Sequence, residues 1–367
     1  MEFLEHYYGQ GRISDDYLAH WLAYGSPAAV AEKIQTFIDA GFTTPVLRFT
    51  SPDQLRQQAL CYGGIAAVSG RCGVTARRNG TIAPVSSNER GRCAMVAWEA
   101  GDLNIDGRKV HYYRAGVRGK PPVILLHGFS NNGLTWTVLA RDLQDDYDLV
   151  AFDAPGHGLS SHPGPDATPD LARDQIIAAI GLLELDRPAL VGHSMGAGTA
   201  TAVAAAQSDI LRCVVLEDPG WRDADAPPPL PGAAGSPEWL ELMRVLPDLP
   251  PAEREALALK TNPSWSEEDR ALWLESRLQF DRSLLDNMPR RLGANWQDLA
   301  RQITCPVLLV TADLDRGAIV SPAGATEAMG LLRDGQVAHI PNAGHNVRRD
   351  NYPPFRDAVI PFLRAHS

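Results

Sequence analysis

The chain has 367 residues, 44% hydrophobic and 21% charged, and a formal net charge of −10. That length holds one large domain plus a smaller piece, or two domains, and the acidic balance argues against a nucleic-acid partner, which needs a basic face. No apolar run reaches the roughly 18 residues that cross a bilayer, which excludes a membrane span.

The N-terminus, Met1-Glu2-Phe3-Leu4-Glu5-His6, lacks the basic start and apolar stretch of a secretion signal. The five cysteines (Cys61, Cys72, Cys93, Cys213, Cys305) are odd in number and scattered, as suits reduced thiols in a cytoplasmic protein. Neither C-x-x-C nor H-E-x-x-H occurs, so no metal is expected.

In chain order, residues 1–60 are patterned. Ser26-Pro27 reads as a helix cap with proline at the first helical position. Val30, Ile34, Phe37 and Ile38 follow at helical spacing, Gly41 ends the helix, and residues 45–49 read as a strand. The run Gly25-Ser26-Pro27-Ala28-Ala29-Val30-Ala31-Glu32-Lys33-Ile34, with Asp39-Ala40-Gly41 behind it, resembles the C-terminal end of a luciferase-like flavin monooxygenase. Such a barrel needs around 250 residues to close, so flavin chemistry cannot be inherited from this fragment of about 50 alone, and no cofactor is expected. Residues 61–95 read as a flexible linker, where glycines break every periodicity and arginines are scattered among Ser, Thr and Asn.

From residue 96 strands and helices alternate, which predicts an α/β fold with a mostly parallel sheet and helices on both faces. Residues 96–105 and 109–115 read as an antiparallel pair around Asp106-Gly107. Further strands are expected at 122–126, 148–153, 189–192, 213–217, 307–311 and 337–340, and helices at 134–143, 171–185 and 351–364. Between residues 219 and 297 the alternation breaks into a proline- and tryptophan-rich stretch, read as a helical cap insertion.

The most informative motif is Gly192-His193-Ser194-Met195-Gly196, a G-x-S-x-G between an apolar strand and a small-residue helix. That context holds a serine at the tip of a sharp strand-to-helix turn, with the dipole of the helix favouring negative charge beside it. A serine hydroxyl needs an adjacent base, and the candidate is His345 in Asn342-Ala343-Gly344-His345, after the last strand, since histidine is the residue type suited to both proton removal and return.

Four motifs in order carry a resemblance to the alpha/beta-hydrolase superfamily: His127-Gly128-Phe129-Ser130, Asp153-Ala154-Pro155-Gly156-His157-Gly158-Leu159-Ser160, the serine turn, and Asn342-Ala343-Gly344-His345. The resemblance covers residues 96–367 and implies a triad acid that orients His345. The family pattern selects Asp315, four residues past the strand at 307–311, with Asp313 as alternative and Asp218, closing the strand at 213–217, as a third position. It also implies oxyanion donors from the backbone N–H groups of Phe129 and Met195. A serine nucleophile argues against dehalogenases and epoxide hydrolases of this fold, which use aspartate. The expectation is a serine esterase or lactonase acting on a small, fairly apolar substrate through an acyl-enzyme. A carbon–carbon bond hydrolase, a non-catalytic ligand receptor and a flavin-dependent oxidoreductase are the alternatives.

Overall fold

A computed structural model describes residues 95–222, 228–290 and 295–367, with 287–290 described by their backbone. The expected N-terminal fragment (1–60) and nearly all of the expected linker (61–95) lie outside the described residues.

Eight strands form one sheet: β1 (Glu99–Ile105), β2 (Arg108–Gly116), β3 (Pro122–Leu126), β4 (Asp148–Phe152), β5 (Ala189–His193), β6 (Val214–Glu217), β7 (Val307–Ala312) and β8 (Gly335–Ile340). Their order is β1-β2-β4-β3-β5-β6-β7-β8. β2 runs antiparallel to both neighbours, and every pairing from β4 through β8 is parallel. The alpha/beta-hydrolase fold expected from the sequence is therefore the fold observed.

Strands β3 to β7 are apolar almost throughout because helices cover both faces of a parallel sheet. The period-two pleat then divides each strand between two cores. Ile124, Leu126, Val150 and Leu190 pack on one side with the helices Leu171–Leu182 (α2) and Met195–Gln207 (α3). Val123, Leu125, Leu149 and Val191 pack on the other with Thr137–Leu143 (α1) and the C-terminal helix Tyr352–Ala365. The helix expected over 134–143 begins instead as a 3-10 turn at Gly133–Trp136 before α1.

Between β6 and β7 lie Pro237–Val245 (α4), Pro251–Thr261 (α5) and Glu267–Leu278 (α6), followed by Trp296–Gln302 (α7). Local sequence explains the starts of α4 and α6. The Ser236 hydroxyl accepts from Trp239 N–H with proline next at the first helical position, and Ser266 accepts from Asp269 N–H ahead of three acidic residues. α4, α5 and α6 share a separate core in which Met243, Leu246, Trp265, Trp273 and Phe280 are buried, whereas Trp296 and Ala300 of α7 pack in the main core beside α3. Phe129 of the main domain packs against that core, which seats the insertion over the C-terminal edge of the sheet. Among the described residues no helix is long and apolar enough to cross a membrane.

Candidate active site

Ser194 occupies the junction of β5 and α3 with φ 52° and ψ −112°, a backbone conformation that L side chains rarely adopt. The glycines around it are required by space. A Cβ on Gly192 would sit 2.4 Å from Gly196 O, and one on Gly196 would sit 2.1 Å from Leu126 O. Both contacts are with backbone, which cannot rotate away. The turn is also tied to the sheet, since Ser194 N–H donates to Glu217 O at 2.9 Å.

The strained serine meets two partners. Its Oγ lies 2.9 Å from Nε2 of His345, and Nδ1 of His345 lies 2.6 Å from Oδ2 of Asp218. Asp218 can only accept, so Nδ1 carries the proton and Nε2 is free to accept from the serine hydroxyl. The Asp218 carboxylate is fully buried and also takes the Ile319 N–H at 2.9 and 3.1 Å and the Val320 N–H at 3.1 Å.

The expected pairing of His345 with Asp315 is therefore corrected, and that with Asp313 likewise. Asp315 sits exposed in the 3-10 turn Leu314–Arg316 on the cavity rim. Asp313 accepts instead from Asn342 N–H at 2.7 Å and faces His339 Nε2 at 3.0 Å. The reason is register. His193 of β5 pairs with Glu217 of β6, so the residue after Glu217 emerges beside Ser194. β7 lies one strand further out, and the loop after it supplies backbone donors to Asp218 rather than an acid to His345.

The histidine loop is held from several sides. Glu217, fully buried, accepts from Arg348 N–H at 2.9 Å and from its guanidinium at 2.7 Å. Burial raises the Glu217 pKa and Arg348 opposes that shift. The Arg348 guanidinium also lies 3.9 Å over the Trp136 ring. Asp350 accepts from Gly344 N–H at 2.9 Å and from the Trp265 indole N–H at 2.7 Å, joining the loop to the inserted helices. His193 donates its Nε2–H to the His345 carbonyl at 2.8 Å. Burial first, and then the Arg348 charge, hold the His193 pKa well below its ordinary value, so it stays neutral in this role. Of these supports His193 and Gly344 fall inside quoted motifs, whereas Arg348, Asp350, Trp136 and Trp265 carry none. Glu217 shows in the sequence as the first of two adjacent acids that close an apolar strand.

Of the two expected oxyanion donors, Met195 is the first residue of α3, so its N–H has no partner within the helix. Phe129 lies on the loop after β3, where a Cβ on neighbouring Gly128 would come within 3.3 Å of Ser194 Cβ. His127 anchors that loop by donating from Nδ1 to Gly128 O and accepting at Nε2 from Ala154 N–H. The loop from Asp153 to Ser160 is braced in turn by Asp153, which accepts from Gly133 and Leu159 N–H groups.

Ser194 and His345 open onto a cavity of about 810 Å³ under the inserted helices, lined by Phe129, Trp239, Trp273 and Arg277 among others. Trp265 and Trp273 serve both as buried insertion core and as cavity wall. Among the described residues no cluster of three or more His, Cys, Asp or Glu could hold a metal ion.

A strained serine at a strand-to-helix turn, on an eight-stranded sheet of this order, defines a class of hydrolase. Residues 123–358 match the alpha/beta hydrolase family, and the chain belongs to it. It is 29% identical over 272 residues to the N-formylmaleamate deformylase of Pseudomonas putida, covering 72% of this chain and 96% of that protein. It is 31% identical over 232 residues to the lipase LipV of Mycobacterium tuberculosis, covering 60% of this chain and 82% of the lipase. The crystal structure of an N-formylmaleamic acid deformylase from Pseudomonas putida S16 superposes with TM-score 0.61 at 21% identity, over 71% of this chain and all of that one.

Proposed function

We propose that the protein is a serine hydrolase that cleaves a small carboxylic ester or lactone through an acyl-enzyme. The observation that carries this reading is the hydrogen-bonded line from Ser194 through His345 to buried Asp218, opening onto the cavity. Ser194 Oγ attacks the scissile carbonyl carbon while His345 Nε2 takes the hydroxyl proton. Asp218 holds the ring in the tautomer that can accept and then balances the imidazolium. The negative oxygen of the tetrahedral intermediate faces the Phe129 and Met195 N–H groups, where one such donor is worth on the order of 3 kcal/mol. The imidazolium returns its proton to the departing alkoxide. Water, deprotonated by the same ring, then releases the acid and regenerates Ser194.

A second reading is amide cleavage, supported by the 29% identity to a protein named as a deformylase. The same groups would serve, with His345 protonating a departing nitrogen. Carbon–carbon cleavage would require that proton to reach a carbon.

Stopped-flow release of p-nitrophenol from short-chain p-nitrophenyl esters tests the ester reading. We expect a burst equal to the enzyme concentration and its loss in Ser194→Ala with melting temperature retained. Release of formate from N-formyl amides without turnover of esters or lactones would favour the amide reading. Wild type and Ser194→Ala equally inert toward all three classes would refute hydrolysis.

A further inference from the structure

The cavity wall contains one buried cation that the hydrolytic steps do not use. Arg277, near the end of α6, is 5% exposed and lines the same cavity as Ser194 and His345. Its guanidinium lies 4.6 Å over the Trp273 ring, and Nη1 donates to the Ser130 carbonyl. Its Nε is buried with no hydrogen-bond partner.

Its neighbours define what is missing. Arg348 is paired with Glu217 at 2.7 Å, and Arg349 faces Asp269 at 3.9 Å. Among the described residues no carboxylate forms an ion pair with Arg277. The acids bordering the cavity are committed elsewhere or lie at its mouth. Asp350 spends both oxygens on Gly344 and Trp265, and Glu238 and Asp315 are exposed. Burial disfavours the Arg277 charge and Arg349 adds repulsion. A guanidinium keeps its proton at neutral pH all the same, so this wall of the cavity holds a cation awaiting an anion.

Its position suits a substrate group. The Ser130 carbonyl it contacts is two residues from Gly128, which abuts Ser194. Because both residues line one cavity, a ligand that acylates Ser194 has the Arg277 guanidinium within the same enclosure for a second group. The planar fork of arginine fits a carboxylate, and tryptophan walls beside a buried charge would orient such a ligand.

We infer that Arg277 seats a carboxylate carried by the substrate itself, so that the preferred substrate is a half-ester, or another mono-acyl derivative of a short dicarboxylic acid. This inference rests on the hydrolase reading and names its substrate class. The opposing account makes Arg277 a pin that only fixes the Phe129 loop through Ser130.

Two measurements on the full chain separate these accounts. The first compares kcat/KM for mono-p-nitrophenyl glutarate with that for p-nitrophenyl hexanoate, which lacks the carboxylate. Wild type should prefer the glutarate ester, and Arg277→Gln should lower that ratio about 10- to 100-fold, chiefly through KM. Arg277→Lys should recover part of the preference, having charge without the fork. An equal fall on both esters in Arg277→Gln would overturn the inference in favour of the pin. The second measurement titrates glutarate into Ser194→Ala by calorimetry, which reads anion binding without turnover. Saturable binding that weakens at least tenfold in Ser194→Ala/Arg277→Gln supports the seat even if no ester is cleaved. No binding at millimolar glutarate overturns it, whatever the fate of the hydrolase reading.

Discussion

Replacing Asp218 by asparagine keeps the shape of the side chain and tests the third member of the array. In the wild type one carboxylate accepts the His345 Nδ1–H at 2.6 Å together with the Ile319 and Val320 N–H groups. An asparagine can offer only one oxygen. If that oxygen stays with Ile319 and Val320, its amide N–H₂ faces Nδ1 of His345 and favours the tautomer protonated on Nε2. That nitrogen then points a proton at Ser194 Oγ, 2.9 Å away, and cannot act as base. The reverse orientation sets the N–H₂ against two backbone donors inside a fully buried site, leaving groups unsatisfied at roughly 1–3 kcal/mol each. Either arrangement fails. We expect kcat to fall about 10⁴-fold, the loss known for the equivalent change in a serine protease, which corresponds to roughly 5 kcal/mol of barrier. Asp315→Asn, altering an exposed turn, should stay within about twofold by the same reasoning. The assay is steady-state and burst kinetics on p-nitrophenyl esters, with thermal melts to show that each variant folds. A well-folded Asp218→Asn enzyme with near-normal kcat, or an Asp315→Asn enzyme that loses as much, would refute the reasoning.

Two further outcomes concern folding. Gly196→Ala must place a Cβ 2.1 Å from Leu126 O, so either strand or helix has to move. We expect destabilisation beyond the usual 1–3 kcal/mol of overpacking, read as a lowered urea midpoint or insolubility, and a wild-type midpoint would contradict the close approach. His157 is fully enclosed, and burial pushes its pKa down from 6.5 to about 4. Between those values the unfolded chain binds a proton that the folded one refuses, so stability is complete above pH 6.5 and declines as pH falls toward 4. The shift is worth about 3 kcal/mol, and buried His127 and His193 act in the same direction. Urea midpoints from pH 7 to 4 should fall less steeply in His157→Gln, by about one proton per molecule, and an unchanged slope would show that His157 titrates normally.

The sheet was legible from residue patterns because it depends on local order. Pro122–Leu126 reads as a buried strand from five apolar residues alone, and β4, β5, β6 and β7 fall within a residue or two of the expected limits. Ser194 was legible for the same reason. Gly192 and Gly196 flank it because strand and helix touch, so the demand of the tertiary turn is written into five adjacent residues. The His345 partnership was legible from motif order, since the serine turn and the loop after the last strand meet at one edge of the sheet.

The acid was decided only in three dimensions. Asp218, Asp313 and Asp315 all follow apolar strands and look alike along the chain. What separates them is the register of β5 on β6, which sets Glu217 opposite His193 and brings the next residue beside Ser194. No spacing in the sequence encodes that lateral placement, because strand neighbours are chosen by packing across the sheet. Arg277 lies beyond sequence reading for a related reason. On α6 it is one of two arginines in an amphipathic helix. Only the closure of the inserted helices over the Phe129 loop buries it, and only its burial without a described carboxylate gives it a meaning. The sequence by itself determined which fold would form and which residue stands at the strained turn. The tertiary structure decided which aspartate lies against His345 and which arginine is buried in the cavity wall, since both depend on contacts between segments far apart in the chain.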